Sequence, residues 1–281
     1  MRMTKVSNKF PKMGETAFAQ AGEGPTIVLV HGLGLNLDMW QWQLPAFKNG
    51  YRVVTYDLLG HGYSAKPSGP YYMSQMVDQL RQLIDDLGVE RCALIGFSLG
   101  GLIVQAFTLA HPDRVWALAI LNAAHGRTPE QRASIMERVE QCRLSGPGAT
   151  VSDALSRWFS TRFAEQNANV LEKVRQWVLA NDPAIYPELY KLLASADIGL
   201  EYSIAAIKCP TLVLTGEEDT GNSPEMAQRI ASNIPGAQLK VLEGLRHMAL
   251  VEDPDQVNHL LTSFLGEALN SKFDSVDNSL V

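Results

Sequence analysis

One stretch constrains the fold more than any other: Ala93-Leu94-Ile95-Gly96-Phe97-Ser98-Leu99-Gly100-Gly101. An apolar, strand-like run ends in a serine with glycine two residues away on either side, and a helix-like pattern follows at once. This is the G-x-S-x-G arrangement of a nucleophile elbow, a strained strand-to-helix turn that exposes a serine hydroxyl. The glycines have a physical reason, since a side chain at Gly96 or Gly100 would collide with the adjoining strand and helix. The motif makes four demands on the rest of the chain. A strand must precede Ser98, a helix must follow it, an acid and then a histidine must come later, and an oxyanion donor must lie upstream.

The pattern around the motif alternates strand and helix. Residues 15–21 read as an opening strand, and 26–30 (Thr26-Ile27-Val28-Leu29-Val30) as an unbroken apolar run of the kind buried on both faces of a parallel sheet. That run leads into His31-Gly32-Leu33-Gly34. A second run, 51–57, leads into Leu58-Leu59-Gly60-His61-Gly62-Tyr63-Ser64. Residues 76–87 have helical apolar spacing, 92–97 form the strand before Ser98, 99–110 the helix after it, and 115–121 a further buried strand. Short connections between them predict an α/β class with a doubly wound, mostly parallel sheet.

From Ala124 the texture changes. Residues 128–143, 151–165, 169–179 and 187–195 all read as helices, and strand signals return only at 210–215 and 238–242. The sequence therefore predicts a core of residues 1–123 and 205–269 with an inserted all-helical lid over 124–204. The closing helix spans about 254–269, and 270–281 read as a flexible polar tail.

The chain has 281 residues, 46% of them apolar, and a formal net charge of −6. A mildly acidic surface has no electrostatic footprint for nucleic acid or for an anionic membrane. Cys92, Cys142 and Cys209 are odd in number and widely spaced, which reads as reduced thiols and not a disulfide framework. The residues after Met1-Arg2-Met3 run into Ser7-Asn8-Lys9 with no apolar segment, so no signal peptide is expected. With no bilayer-spanning stretch in view, a cytoplasmic location is expected. No metal or cofactor site is expected, and the oligomeric state is open.

A serine hydroxyl needs a base to take its proton, and the base needs an acid to fix its tautomer. In this architecture the order is Ser, acid, His. Of the six histidines only His247 and His259 follow a late acidic loop, and His259 falls inside the closing helix, so His247 is the expected base. Thr215-Gly216-Glu217-Glu218-Asp219 directly follows a strand. Asp219 is the expected acid, with Glu217 and Glu218 as competitors. Asn122 is set aside as an alternative acid position, because an amide cannot balance an imidazolium. The expected oxyanion donors are the N–H groups of Leu99 and Leu33.

With these residues in view, the chain resembles an α/β-hydrolase from about Gly24 to Leu269. The resemblance is carried by His31-Gly32-Leu33-Gly34, Asp57-Leu58-Leu59-Gly60-His61-Gly62, the Ser98 motif, His111-Pro112-Asp113-Arg114-Val115, Gly216-Glu217-Glu218-Asp219 and His247. Within that superfamily it is most similar to the 3-oxoadipate enol-lactonase-like group and its small carboxylesterase relatives. Phe97 before the serine and the helical lid with aromatics near Tyr186 carry that narrower likeness. The resemblance implies hydrolysis of a small ester or lactone with no cofactor. Two other readings stand beside it: a C–C bond hydrolase of a ring-cleavage dienoate, which Phe97 disfavours, and a ligand receptor that retains the fold.

Blander roles are expected elsewhere. His31 and His61 shape their turns, and Asp57 ties down the loop that follows it. Trp40 and Phe97 are the expected substrate-pocket residues. Among Trp158, Phe159, Phe163, Trp177, Tyr186 and Tyr190, helical spacing puts most in the contact between lid and sheet, with one or two facing substrate. Glu137, Arg138 and Glu140 read as a solvated helix face.

Overall fold

The apolar runs form the middle of a sheet. In a computed structural model of the chain, which describes residues 16–277, the strands are β1 (Phe18–Ala21), β2 (Thr26–Val30), β3 (Arg52–Tyr56), β4 (Cys92–Phe97), β5 (Val115–Leu121), β6 (Thr211–Gly216) and β7 (Gln238–Leu242). The N-terminal residues read above, and Glu15 of the expected first strand, lie outside the described residues. Among those residues the strands make one seven-stranded sheet in the order β1-β3-β2-β4-β5-β6-β7. β1 is antiparallel to β3, and every other neighbouring pair is parallel.

Composition explains the order. Every residue of β2, β4, β5 and β6 is buried, as strands covered on both faces must be. β7 is exposed at three of its five residues, and Lys240 on it suits an edge that must not recruit another strand.

The helices are α1 (Leu44–Phe47), α2 (Met73–Asp86), α3 (Leu99–Ala110), α4 (Pro129–Ser145), α5 (Gly148–Trp158), α6 (Thr161–Gln166), α7 (Ala168–Leu179), α8 (Tyr186–Ser195), α9 (Leu200–Ser203), α10 (Pro224–Asn233), α11 (Ala249–Glu252) and α12 (Pro254–Asp277). α3 packs on β4 and β5, α10 on β6 and β7, and α12 on β5. The helices α4 to α9 intervene between β5 and β6, so the fold is a doubly wound, mostly parallel sheet with a helical insertion. None of the helices among the described residues is long and apolar enough to cross a membrane.

Three boundaries differ from the sequence reading for local reasons. The expected helix over 151–165 breaks at Phe159, because the Ser160 side chain accepts from the Phe163 N–H at 3.3 Å and starts a new helix, α6. α2 starts earlier, at Met73, where the Gln75 side chain accepts from the Tyr72 N–H at 2.8 Å. The closing helix continues past Leu269 through Asp277, into the stretch read as a tail; residues 278–281 lie outside the described residues.

The insertion is anchored by one buried carboxylate. Asp197 is fully buried and accepts from the Arg127 backbone N–H at 2.9 Å, from Arg127 Nη1 at 3.1 Å, and from Arg132 Nη1 and Nη2 at 2.7 and 3.0 Å. Burial alone would raise its pKa, but the Arg132 and Arg127 hydrogen bonds and charges hold it below the ordinary carboxylate value.

The strand order reverses around β2, which lies between β3 and β4. Loops leaving β2 and β4 therefore diverge and open a crevice at the carboxyl ends of the strands, where doubly wound folds bind ligands.

Candidate active site

Ser98 directly follows β4 with φ 55° and ψ −114°. Only it and Asn122 (φ 48°) are non-glycine residues with positive φ among the described residues. Such a conformation costs on the order of 1–3 kcal/mol and persists only where the surroundings enforce it. They do so by close packing. A Cβ at Gly100 would strike the Val30 carbonyl oxygen, one at Gly96 would strike the Gly100 carbonyl, and one at Gly101 would come within 2.7 Å of Ala123 Cβ. The glycines let α3 press directly onto β2 and β4 with the serine at its start.

The loop after β6 brings Asp219 against His247. Asp219 Oδ2 lies 2.7 Å from His247 Nδ1 and accepts from Asn122 Nδ2 at 3.0 Å, while Oδ1 accepts from the backbone N–H groups of Gly221 and Asn222 at 3.1 and 3.0 Å. Burial would raise the Asp219 pKa, but the His247 charge, its hydrogen bond and those from Asn122 and Asn222 hold it below the usual value. The competing acids are engaged elsewhere: Glu217 accepts from the Gly244 N–H at 3.0 Å, and Glu218 pairs with Arg246 at 3.1 Å. Asn122 is thus not a bystander. It donates to the carboxylate from the end of the neighbouring strand, a role the sequence reading missed; its positive φ has no sequence signal beyond asparagine's tolerance of that region.

The His247 ring packs 4.9 Å from Phe97 and 6.0 Å from Trp158, centroid to centroid. Among the described residues the Ser98 hydroxyl makes no hydrogen bond, and Ser98 and His247 line the same cavity. Apo hydrogen bonds between such groups are commonly open and tighten on substrate.

The loop after β2 is held by two neutral histidines. The Leu58 N–H donates to His31 Nε2 at 3.0 Å, which leaves Nδ1 as the donor to the Gly32 carbonyl at 2.8 Å. The Gly34 N–H donates to His61 Nε2 at 3.0 Å, leaving Nδ1 to donate to Leu59 at 3.1 Å. Burial pulls the His31 pKa down to about 4; burial and the nearby His31 pull His61 well below its ordinary value. Asn181, at the end of α7, donates to the Gly34 carbonyl at 2.9 Å and ties the insertion to this loop. Leu33 and Leu99 are both buried, and neither N–H has a partner among the described residues. Leu99 is the first residue of α3, where no intrahelical acceptor exists.

These loops enclose a cavity of about 260 Å³ lined by Leu33, Phe97, Ser98, Asp219 and His247 together with lid residues that include Trp158 and Tyr190. Trp40 requires correction: it is fully buried and does not line the cavity. Nearness in sequence to the loop after β2 did not fix the direction of its side chain. Arg138 is corrected as well, since it lines the cavity and is not simply a solvated face. Among the described residues no group of three His, Cys, Asp or Glu could hold a metal ion.

The arrangement can deprotonate a hydroxyl and offer N–H groups to a developing oxyanion. Comparison with known proteins agrees with the fold. Residues 25–254 match the family model described as alpha/beta hydrolase fold. The chain is 30% identical to an (E)-2-((N-methylformamido)methylene)succinate hydrolase of Acinetobacter baylyi over 88% of this chain and 93% of that protein. It is also 30% identical to 3-oxoadipate enol-lactonase 2 of the same organism, over 88% of this chain and 91% of the other. The crystal structure of an enol-lactonase from Burkholderia xenovorans superposes with a TM-score of 0.84 at 31% identity, covering 89% of this chain and 96% of that one. The chain belongs to the α/β-hydrolase fold family.

Proposed function

We propose that the protein is a serine hydrolase of a small carboxylic ester or lactone. His247, oriented by Asp219, takes the Ser98 proton as Oγ attacks the substrate carbonyl. The Oγ–C bond forms, the Leu33 and Leu99 N–H groups hold the oxyanion, and the ring C–O bond of a lactone or the leaving C–O bond of an ester breaks as His247 returns the proton to that oxygen. Water, deprotonated by the same imidazole, then releases the acyl group and restores Ser98.

The observation that carries this reading is the 2.7 Å bond between Asp219 and His247 beside a cavity that Ser98 also lines. Two N–H groups without partners next to it are a further support, because a buried donor left unpaired costs about 1–3 kcal/mol and calls for a ligand. The relatives named as a 3-oxoadipate enol-lactonase and as an (E)-2-((N-methylformamido)methylene)succinate hydrolase support a hydrolytic reading of the site.

Ser98→Ala is expected to lower p-nitrophenyl acetate hydrolysis by about a thousandfold or more while circular dichroism stays unchanged. Turnover close to that of the unmodified protein would remove Ser98 from the mechanism.

A further inference from the structure

Four charged residues line the cavity above Ser98: Arg127, Arg138, Arg157 and Asp219. Two of them are already engaged. Arg127 is paired with the buried Asp197 at 3.1 Å, and Asp219 holds His247. The other two have no carboxylate partner. Arg138, on α4, donates to Ser134 Oγ at 3.1 Å. Arg157, near the end of α5, makes no hydrogen bond or ion pair among the described residues.

Both arginines are only partly exposed, and their charges act on each other. Burial and the Arg138 charge push the Arg157 pKa down, offset in part by Tyr190 and Asp153. Two like charges brought together in a partly desolvated wall are unfavourable unless an anion joins them. Composition does not supply the patch by default, because the chain as a whole carries a net charge of −6. The guanidinium is also the cation best matched to a carboxylate, with which it makes paired, charge-assisted hydrogen bonds.

The geometry points to a substrate that carries a carboxylate, held by Arg138 and Arg157 while its ester or lactone carbonyl lies at Ser98. The assignment of substrate class rests on Ser98 acting as the nucleophile. The Ser134 and Gln131 side chains, on the same wall of the cavity, offer further polar contacts to the anion. A volume of about 260 Å³ suits a short molecule.

The test compares matched substrates. On the acyl side, the mono-p-nitrophenyl ester of glutarate is measured against p-nitrophenyl valerate. On the alcohol side, the butyrate ester of 3-hydroxypropionate is measured against propyl butyrate by pH-stat. The anionic member of at least one pair is expected to have a kcat/KM at least about tenfold higher, and the pair that responds identifies which part of the substrate bears the carboxylate. Arg138→Gln and Arg157→Gln should each reduce that ratio severalfold, and the double substitution should abolish it. Arg143→Gln, which removes an exposed charge further along α4, should leave the ratio intact.

Calorimetric titration of glutarate into Ser98→Ala gives a readout that needs no chemistry: binding is expected, and its loss when both arginines are replaced. Ratios near one in both pairs, or a preference that survives the double substitution, overturn the proposal. Arginine-dependent glutarate binding without any ester turnover would instead overturn the serine hydrolase reading and leave the anion site standing.

Discussion

His31 and His61 are kept neutral by burial, and each uses one ring nitrogen as acceptor and the other as donor. This makes them stability elements with a pH signature. An unfolded chain takes up a proton at His31 near its ordinary pKa of 6.5, whereas the folded chain resists until about 4. Stability is therefore fully present above that window and falls as pH falls through it, by up to about 3 kcal/mol at 1.36 kcal/mol per unit. Asp219 does not confound the window, since its depressed pKa means that its contribution is lost only below the ordinary carboxylate range. Urea unfolding at about pH 7.5 and about pH 5 should show the decline, and His31→Gln should reduce it, with His61 supplying the remainder; an unchanged slope in the variant would assign the decline to other groups. At this scale the sequence was legible where chemistry is local. The strained turn at Ser98 was readable from its glycines, and the loop that brings His247 against Asp219 from its place after the last strand. Choosing Asp219 over Glu217 and Glu218 rested on weaker ground, because three adjacent acids differ only in direction, and direction comes from the turn that points Asp219 at His247. Trp40, Arg138 and Asn122 were misread or passed over for the same reason.

At the level of elements, the insertion is stitched to the loop that carries His247. The Met248 N–H donates to the Trp158 carbonyl at 2.9 Å, and Arg246 Nη1 donates to the carbonyls of Ser156 and Phe159 at 2.9 and 3.1 Å. Glu252 of α11 bridges both sides, accepting from the Arg246 N–H at 2.8 Å and the Ser160 N–H at 2.9 Å. The end of α5 and the loop that carries His247 are thus tied together by hydrogen bonds. Glu252→Ala leaves two backbone donors without their acceptor and is expected to lower stability by about 1–3 kcal/mol. Amide exchange should then quicken at residues 156–160 and 245–249 together. Exchange that rises on one side alone would show that the two segments are not coupled. Periodicity located these helices but not their seams, because the break at Phe159 depends on a serine cap and the long reach of α12 on a polar tail that still propagates helix.

For the whole molecule, the parallel sheet and the place of the insertion were readable, because buried β-branched runs and a strand-free block are collective patterns. The size of the cavity was not, since it depends on how the lid settles on the sheet. A cavity of about 260 Å³ lies at the small end for ligand sites. Among p-nitrophenyl esters, butyrate should exceed dodecanoate in kcat/KM by about tenfold or more; comparable values would mean that the lid opens widely. The strand order has a consequence in time as well as in space. Ser98 sits between β4 and α3, Asp219 follows β6 and His247 follows β7. During synthesis from the N-terminus, the turn at Ser98 emerges long before Asp219 and His247, the residues proposed to activate it. Under the proposed mechanism, a nascent or truncated chain lacking β7 and the loop after it carries Ser98 without its base, and reactivity waits until that loop has been made.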